Sequence, residues 1–167
     1  SKAPQAVVIG PGLGRHEDTI EATASLIGKA AVGGIPLVID ADGISALPEG
    51  SWPDGLKGVA TPHAGEAKRW LGSGSPERAL SGTSGEDAVI VTTGAEDILT
   101  GPEGRRCFAT GGHPRMAVGG TGDLLAGTIG GLLAQGMGAW PAARLGCALL
   151  REAGSRAAAG TGPGLLA

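Results

Sequence analysis

The sequence predicts an α/β fold, a central and mostly parallel sheet covered by helices on both faces. Three observations carry that expectation. Short, wholly apolar runs recur at Ala6-Val-Val-Ile9, Pro36-Leu-Val-Ile39 and Ala88-Val-Ile-Val91, too hydrophobic for strands with one wet face. Segments with a 3.6-residue apolar period alternate with them. Turns rich in glycine and acids follow the strands, where open α/β sheets bind ligands.

Taken in order, Ala6–Gly10 reads as a strand and leads into the turn Gly10-Pro-Gly-Leu-Gly14. A helix follows over Glu17–Val32, with Ile20, Ala24, Ile27 and Ala31 on one face and Asp18 and Glu21 near its positive end. Gly33-Gly34 ends it. Pro36–Asp40 is the next strand and exits through Asp40-Ala-Asp-Gly43. A short strand at Gly58–Thr61 ends in Thr61-Pro-His-Ala-Gly-Glu66, and a helix occupies Ala67–Leu71. Leu71–Asp87, dense in Gly, Ser, Pro and Glu, reads as surface loop with one helix near Pro76–Leu80. Ala88–Thr92 is another buried strand. Two antiparallel strands, Ile98–Thr100 and Arg105–Ala109, flank a hairpin turn at Gly101-Pro-Glu-Gly104. The last third holds two helices. The first, Gly122–Gln135, turns Leu125, Ile129, Leu132 and Leu133 inward; the second, Pro141 to Ala158, is expected to bury Leu145, Leu149 and Ala153.

Composition narrows the function. A chain of 167 residues with 41% hydrophobic content suits one domain over 1–167, and its 33 glycines punctuate apolar runs rather than form low-complexity tracts. The net charge of −3, the absence of Tyr and the single Phe108 argue against a nucleic-acid partner. Cys107 and Cys147 lack CxxC spacing and are expected to be reduced, which suits the cytoplasm. No apolar run is long enough for a bilayer, and no charged-then-apolar leader opens the chain, so no membrane partner is expected. The chain does not begin with Met and its first strand starts within a few residues, so a piece of a longer protein is expected. Sheet edges left open in this way make a homo-oligomer the expectation.

The richest motif is Met116-Ala-Val-Gly-Gly-Thr-Gly-Asp-Leu-Leu-Ala-Gly127. Gly119, Gly120 and Gly122 permit positive φ and close backbone approach, and the unpaired N–H groups of the following helix point at whatever occupies the turn. A phosphate is the natural occupant. Asp123, in the first helical turn, is placed to accept a proton from a hydroxyl that attacks phosphorus. A plainer reading makes Thr121 an N-cap and Asp123 a partner of the helix dipole, which accounts for one glycine but not three. Asp40 and Asp42 are open to two readings, caps of the next segment or acids facing Mg2+ through water. His63, three residues before Glu66, fits a capping box as well as a ligand contact. His16 and His113 have less context, and no pair of residues has zinc-ligand spacing.

Taken together and in this order, Gly10-Pro-Gly-Leu-Gly14, Asp40-Ala-Asp-Gly43, Thr61-Pro-His-Ala-Gly-Glu66 and Gly119-Gly-Thr-Gly-Asp-Leu-Leu-Ala-Gly127 closely resemble the ADP/ATP-dependent NAD(P)H-hydrate dehydratases. The resemblance runs through Gly130-Gly-Leu-Leu-Ala-Gln-Gly136. It implies a ribokinase-like, three-layer α/β/α fold and repair of hydrated NADH or NADPH. In that family a nucleotide phosphorylates the hydroxyl added to the nicotinamide ring, and phosphate, a far better leaving group than hydroxide, is then eliminated. By this resemblance Asp123 is the base, and the turn Gly119, Gly120, Thr121, Gly122 holds the transferring phosphate. Gly12 and His63 match positions that contact the hydrated dinucleotide. Thr93, Gly94, Ala95, Glu96 and Asp97, with Gly122, match the segment that binds ADP or ATP, and Mg2+ shields the phosphates. Two departures stand out. The nucleotide segment usually opens Lys-Gly-Ala, whereas here Thr93 replaces the lysine. Family members also carry a substantial stretch before the GPG turn, so this chain is expected to be the C-terminal portion of the domain, its own end at Gly160–Ala167 being cut before the family's closing segment. Two other readings remain: a ribokinase-like small-molecule kinase similar to hydroxyethylthiazole kinase, and a non-catalytic nucleotide-binding module.

Overall fold

The computed structural model describes residues 4–83 and 87–161; the loop expected at 84–86 and the chain end at 162–167 lie outside them. Six strands form one sheet in sequence order: β1 (Val7–Ile9), β2 (Leu37–Ile39), β3 (Gly58–Ala60), β4 (Ala88–Thr92), β5 (Asp97–Thr100) and β6 (Arg106–Ala109). The first four are parallel, and β4, β5 and β6 pair antiparallel. Parallel neighbours need crossovers, and α1 (Glu17–Gly33) makes the first of them. The expected strands, hairpin and helices are all present, with ends moved by one to three residues. α2 (Ala64–Leu71) starts three residues earlier than expected because its capping residues are the motif itself. The others are α3 (Pro76–Ala79), α4 (Thr121–Ala134) and α5 (Ala139–Thr161).

Strand alternation splits the core into two layers. Leu37, Ile39, Ala60 and Ile90 face one cluster with Ile27, Leu47, Trp52 and Trp70, on the side of α1 and α2. Val38, Val59, Val89, Val91 and Leu99 face the other, with Leu125, Ile129, Ala142, Ala143 and Cys147 of α4 and α5. The three-layer arrangement follows directly. Each buried tryptophan satisfies its indole N–H on a carbonyl, Trp52 on Leu56 and Trp70 on Pro48, both at 2.8 Å.

Two helices present different faces from those expected. In α5, Leu145 and Leu149 are 39% and 49% exposed and Ala153 is also exposed, while Ala142, Ala143, Gly146, Cys147 and Arg151 turn inward. The valines of β3 and β4 already fill that layer, so the helix can pack only through small side chains; a Cβ on Gly146 would lie 2.6 Å from Ile129. In α1 the buried stripe is Thr23, Ile27 and Ala30, with Ala24 exposed. Thr23 tolerates burial because its hydroxyl donates to the Thr19 carbonyl at 2.7 Å.

The exits of β1 and β2 touch backbone to backbone. Gly10 has φ +130°, and a Cβ there would sit 1.7 Å from the Asp40 carbonyl oxygen. On the facing strand exit, a Cβ on Gly43 is pinched at 2.9 Å against the Ile9 carbonyl oxygen. Gly12, also at positive φ (+71°), has open space around it. Gly10→Ala is therefore expected to lower stability by about 3 kcal/mol or more, and Gly12→Ala by only about 1 kcal/mol. Urea unfolding followed by circular dichroism checks the ranking, which equal losses would overturn.

Candidate functional site

The loops that carry the candidate site residues emerge at one end of the sheet, beyond the carboxyl ends of the parallel strands. The β2 exit is the innermost. Asp40 is 6% exposed, and its Oδ1 accepts from the Thr61 hydroxyl at 2.8 Å. Burial pushes its carboxyl above the ordinary value of 3.8; the negative charges of Glu66 and Asp123 push the same way, against hydrogen bonds from Thr61 and the Ala41 N–H. It makes no side-chain cap on the 3-10 turn that follows, so the capping reading fails for Asp40. Ala41, next in line, is held at φ +47°. Asp42 instead ties down the β1 exit, accepting from the Gly14 N–H at 3.0 Å and from Arg15 Nε at 2.8 Å. The Gly10–Gly14 turn is fixed by these bonds while Gly12 stays exposed at its tip.

The β3 exit carries His63 and Glu66. His63 is the N-cap of α2: its Nδ1 accepts from the Gly65 N–H at 2.9 Å, and Glu66 accepts from the His63 N–H at 3.0 Å, a complete capping box. The outer nitrogen Nε2 lies 3.4 Å from Glu66 Oε1, and the imidazole is more than half exposed. Arg15 reaches the same Glu66 oxygen at 3.9 Å, which links the first and third exits. The cap and a ligand contact are compatible, since the cap uses only one ring nitrogen.

Thr93 continues the row through a parallel bridge to His63, its N–H donating to the Pro62 carbonyl at 2.9 Å. The turn from Thr93 to Glu96 joins β4 to β5, and Gly94, Ala95 and Glu96 are exposed. Asp97 is not: it is buried at 6%, accepts from the Gly94 N–H at 3.2 Å and forms an ion pair with Arg151 at 2.7 Å. Asp97 raises the pKa of Arg151 above its ordinary value, outweighing the burial that lowers it. Arg151 escaped the sequence reading. The available signal was a cation on the same helix face as Ala143 and Cys147 of α5, where Arg144 and Arg156 stand on the exposed side.

The last wall is the start of α4. Gly120 is its N-cap, at φ +96°, and Thr121 is the first helical residue, which corrects the reading of Thr121 as the cap. The Thr121 hydroxyl donates to the Met116 carbonyl at 2.8 Å, closing the Gly119–Gly120 turn on itself. The Leu124 N–H already bonds to the Gly120 carbonyl and the Thr121 N–H to that of Val118, leaving the N–H groups of Gly122 and Asp123 as the first turn's outward donors. Asp123 is exposed in that turn, close enough to Asp40 for the two charges to interact. Gly122 faces Asp40 directly, since a Cβ on it would lie 3.7 Å from Asp40 Oδ2. Gly12, His63, Thr93–Glu96, Gly119–Gly122 and Asp123 thus share one rim. A cavity of about 820 Å³ lies at the opposite, amino-terminal end of the strands, lined by Pro36, Lys57 and Met137 among others, and brings none of these residues together.

Comparison with known proteins identifies the family and the fold. A family model described as NAD(P)H-hydrate dehydratase matches residues 1–167. A bifunctional NAD(P)H-hydrate repair enzyme of Thermofilum pendens is 34% identical over 95% of this chain and 32% of its own length. An ADP/ATP-dependent NAD(P)H-hydrate dehydratase of Bacillus subtilis, co-crystallised with ATP and Mg2+, superposes with a TM-score of 0.76 at 25% identity, covering 98% of this chain and 61% of its own. A ribokinase-like superfamily protein of Enterococcus faecalis gives a TM-score of 0.76 at 26% identity, covering 96% and 58%. The chain spans about a third of the curated relatives it matches and about three fifths of these solved structures. By the match over all of its residues and by its ribokinase-like sheet, the chain belongs to the NAD(P)H-hydrate dehydratase family.

Proposed function

We propose that this chain carries the site at which an adenine nucleotide, ADP or ATP, phosphorylates the ring hydroxyl of hydrated NADH or NADPH, and phosphate is then lost to restore the reduced dinucleotide. The observation that supports it most is Asp123 in the first turn of α4, behind the Gly119–Gly120 turn and facing the strand exits. There the N–H groups of a helix first turn and an exposed carboxylate meet.

In this reading Asp123 accepts the proton of the substrate hydroxyl as its oxygen attacks the terminal phosphorus of the nucleotide. The N–H groups of the first turn of α4, aided by the helix dipole, bind the equatorial oxygens, and the shortened nucleotide leaves with the bridging oxygen. Departure of phosphate together with a proton from the neighbouring ring carbon then rebuilds the double bond. Gly12 and His63 contact the hydrated dinucleotide on one side, and Thr93–Glu96 hold the adenine nucleotide on the other. Asp97, being buried, supports that loop from behind.

Among the described residues no three His, Cys, Asp or Glu side chains converge to hold a metal ion. The donors instead suit Mg2+ that arrives on phosphates, which needs only one or two carboxylates and keeps its waters. Asp40 and Asp123 are the residues that would face such an ion, and it would supply neutralisation of phosphate charge.

A small-molecule kinase would use the same α4 turn but release a stable phosphate ester. Recovery of the reduced-nicotinamide absorbance from hydrated NADH, with Mg2+ and ADP or ATP, separates the two. Asp123→Asn is expected to reduce that recovery by about 10²- to 10⁴-fold with its fold intact; full activity in the variant removes Asp123 as the base.

Asp40 gives a second prediction. Its carboxyl titrates above the unfolded value, so its contribution to stability is present in full at low pH and is lost as pH rises through the folded pKa. Asp40→Asn keeps an acceptor for Thr61 without the buried charge. The variant is expected to melt a few degrees above the wild type at pH 7 and to lose that advantage below the ordinary carboxylate range, while turnover falls. Thermal unfolding across pH checks the sign, and a variant less stable at pH 7 than at pH 3, relative to wild type, contradicts it.

A further inference from the structure

Arg151 of α5 has five N–H donors, and the structure gives each an acceptor. Nε donates to Asp97 Oδ2 at 2.8 Å; Nη2 pairs with Asp97 Oδ1 at 2.7 Å and donates to the Gly94 carbonyl at 3.0 Å. Nη1 donates to the carbonyls of Ala95 and Gly111, both at 2.8 Å. The guanidinium is therefore fully satisfied, planar and 9% exposed, a geometry that lysine's three-donor ammonium cannot copy. What it grips is the backbone of the β4–β5 turn and of the segment after β6, which are 40 and more residues away in sequence.

The consequence follows from peptide geometry. In a trans peptide the C=O and the next residue's N–H point in opposite directions. Turning the carbonyls of Gly94 and Ala95 inward onto Arg151 turns the N–H groups of Ala95 and Glu96 outward, on a stretch of loop that is exposed. The Gly111 carbonyl, drawn in likewise, directs the Gly112 N–H away from the guanidinium. Two outward N–H groups in succession make an anion-binding concavity. The loop carries no cation of its own, Thr93 standing where the family usually has lysine.

We infer that Arg151 is the positioning residue of the adenine-nucleotide subsite: it fixes the Thr93–Glu96 loop so that backbone N–H groups, instead of a lysine, receive the nucleotide's phosphates. The inference rests on the nucleotide reading of this loop. Arg151 itself does not touch the nucleotide, so its effect is on affinity for that ligand and not on the other substrate. Loss of charge-assisted bonds of this kind corresponds to a weakening of about 10- to 100-fold.

The test compares wild type, Arg151→Lys and Arg151→Met in the natural full-length protein, by calorimetric titration with ATP and with ADP and by steady-state kinetics. The expected result is a nucleotide Kd and KM raised about 10- to 100-fold in Arg151→Met, and by less in Arg151→Lys, with the KM for hydrated NADH within about twofold of wild type. A merely structural role lowers the folded fraction and apparent kcat alike without moving Kd, and that pattern overturns the inference. Should Arg151→Met not fold, Arg151→Lys decides: wild-type nucleotide affinity in the folded lysine variant rejects the positioning role. Wild type that binds neither nucleotide rejects the nucleotide reading and the inference together. Wild type that binds nucleotide and weakens on substitution supports the inference even where no dehydration is seen.

Discussion

The backbone contact between the exits of β1 and β2 is the constraint on which the site depends. Gly10 lies against the Asp40 carbonyl and Gly43 against that of Ile9, at separations that admit no side chain. Closing the two exits this tightly sends the β2 chain sharply back, through the left-handed Ala41, and leaves the Asp40 carboxylate pointing across the sheet at the start of α4. A buried carboxylate beside two others is unfavourable in itself. Thr61 and the Ala41 N–H offset part of that cost. The strand ends are thus arranged against their own stability, which is the pattern expected of a site that a ligand or its cation completes.

From that contact the rim is assembled as a chain of tied loops. Asp42 holds Gly14 and Arg15; Arg15 reaches Glu66; Glu66 and His63 close the box that starts α2; and His63 bridges to Thr93. At the far side Arg151 gathers the Thr93–Asp97 turn and Gly111, while Met116 packs within van der Waals reach of Gly112 and Gly154 and its carbonyl receives the Thr121 hydroxyl. Each tie fixes backbone, leaving Gly12, Asp123 and the imidazole of His63 exposed on a held frame. Binding to such a surface loses less conformational entropy than binding to free loops.

The parts of this arrangement that the sequence shows plainly are those set by local rules. Buried parallel strands are written as apolar runs, and every one of them formed where the runs stand. Turns that need positive φ are written as glycine, so Gly10 and Gly120 mark themselves. The face of α5 is not local. Periodicity favours the large residues Leu145 and Leu149, yet the space above the β3 and β4 valines admits only Ala142, Ala143, Gly146 and Cys147. Nor is Arg151 legible: its partner Asp97 is 54 positions away, and one of three arginines on a helix looks the same paired or free until the fold brings the two together. Asp97 in turn looked like a ligand contact, because a strand-exit acid gives no sign of which side of the loop it will face.

Electrostatics narrows how such a rim can receive an anion. The chain carries a net charge of −3, and its site concentrates Asp40, Glu66 and Asp123. Arg15 is paired with Asp42, and Arg151 with Asp97 beneath the loop. Side-chain cations already matched to carboxylates contribute little net positive potential to an incoming phosphate. Beside these paired cations stand the first turn of α4 and the outward N–H groups of the Thr93–Glu96 loop, partial charges held rigidly and unable to swing away. Donors of that kind suit a phosphoryl group whose charge shifts between oxygens during transfer, because their orientation is set before the ligand arrives. In the proposed reading the acids around them have a different part to play: one takes the proton of the substrate hydroxyl, and the others keep a polar, negatively charged floor that receives a phosphate together with its cation.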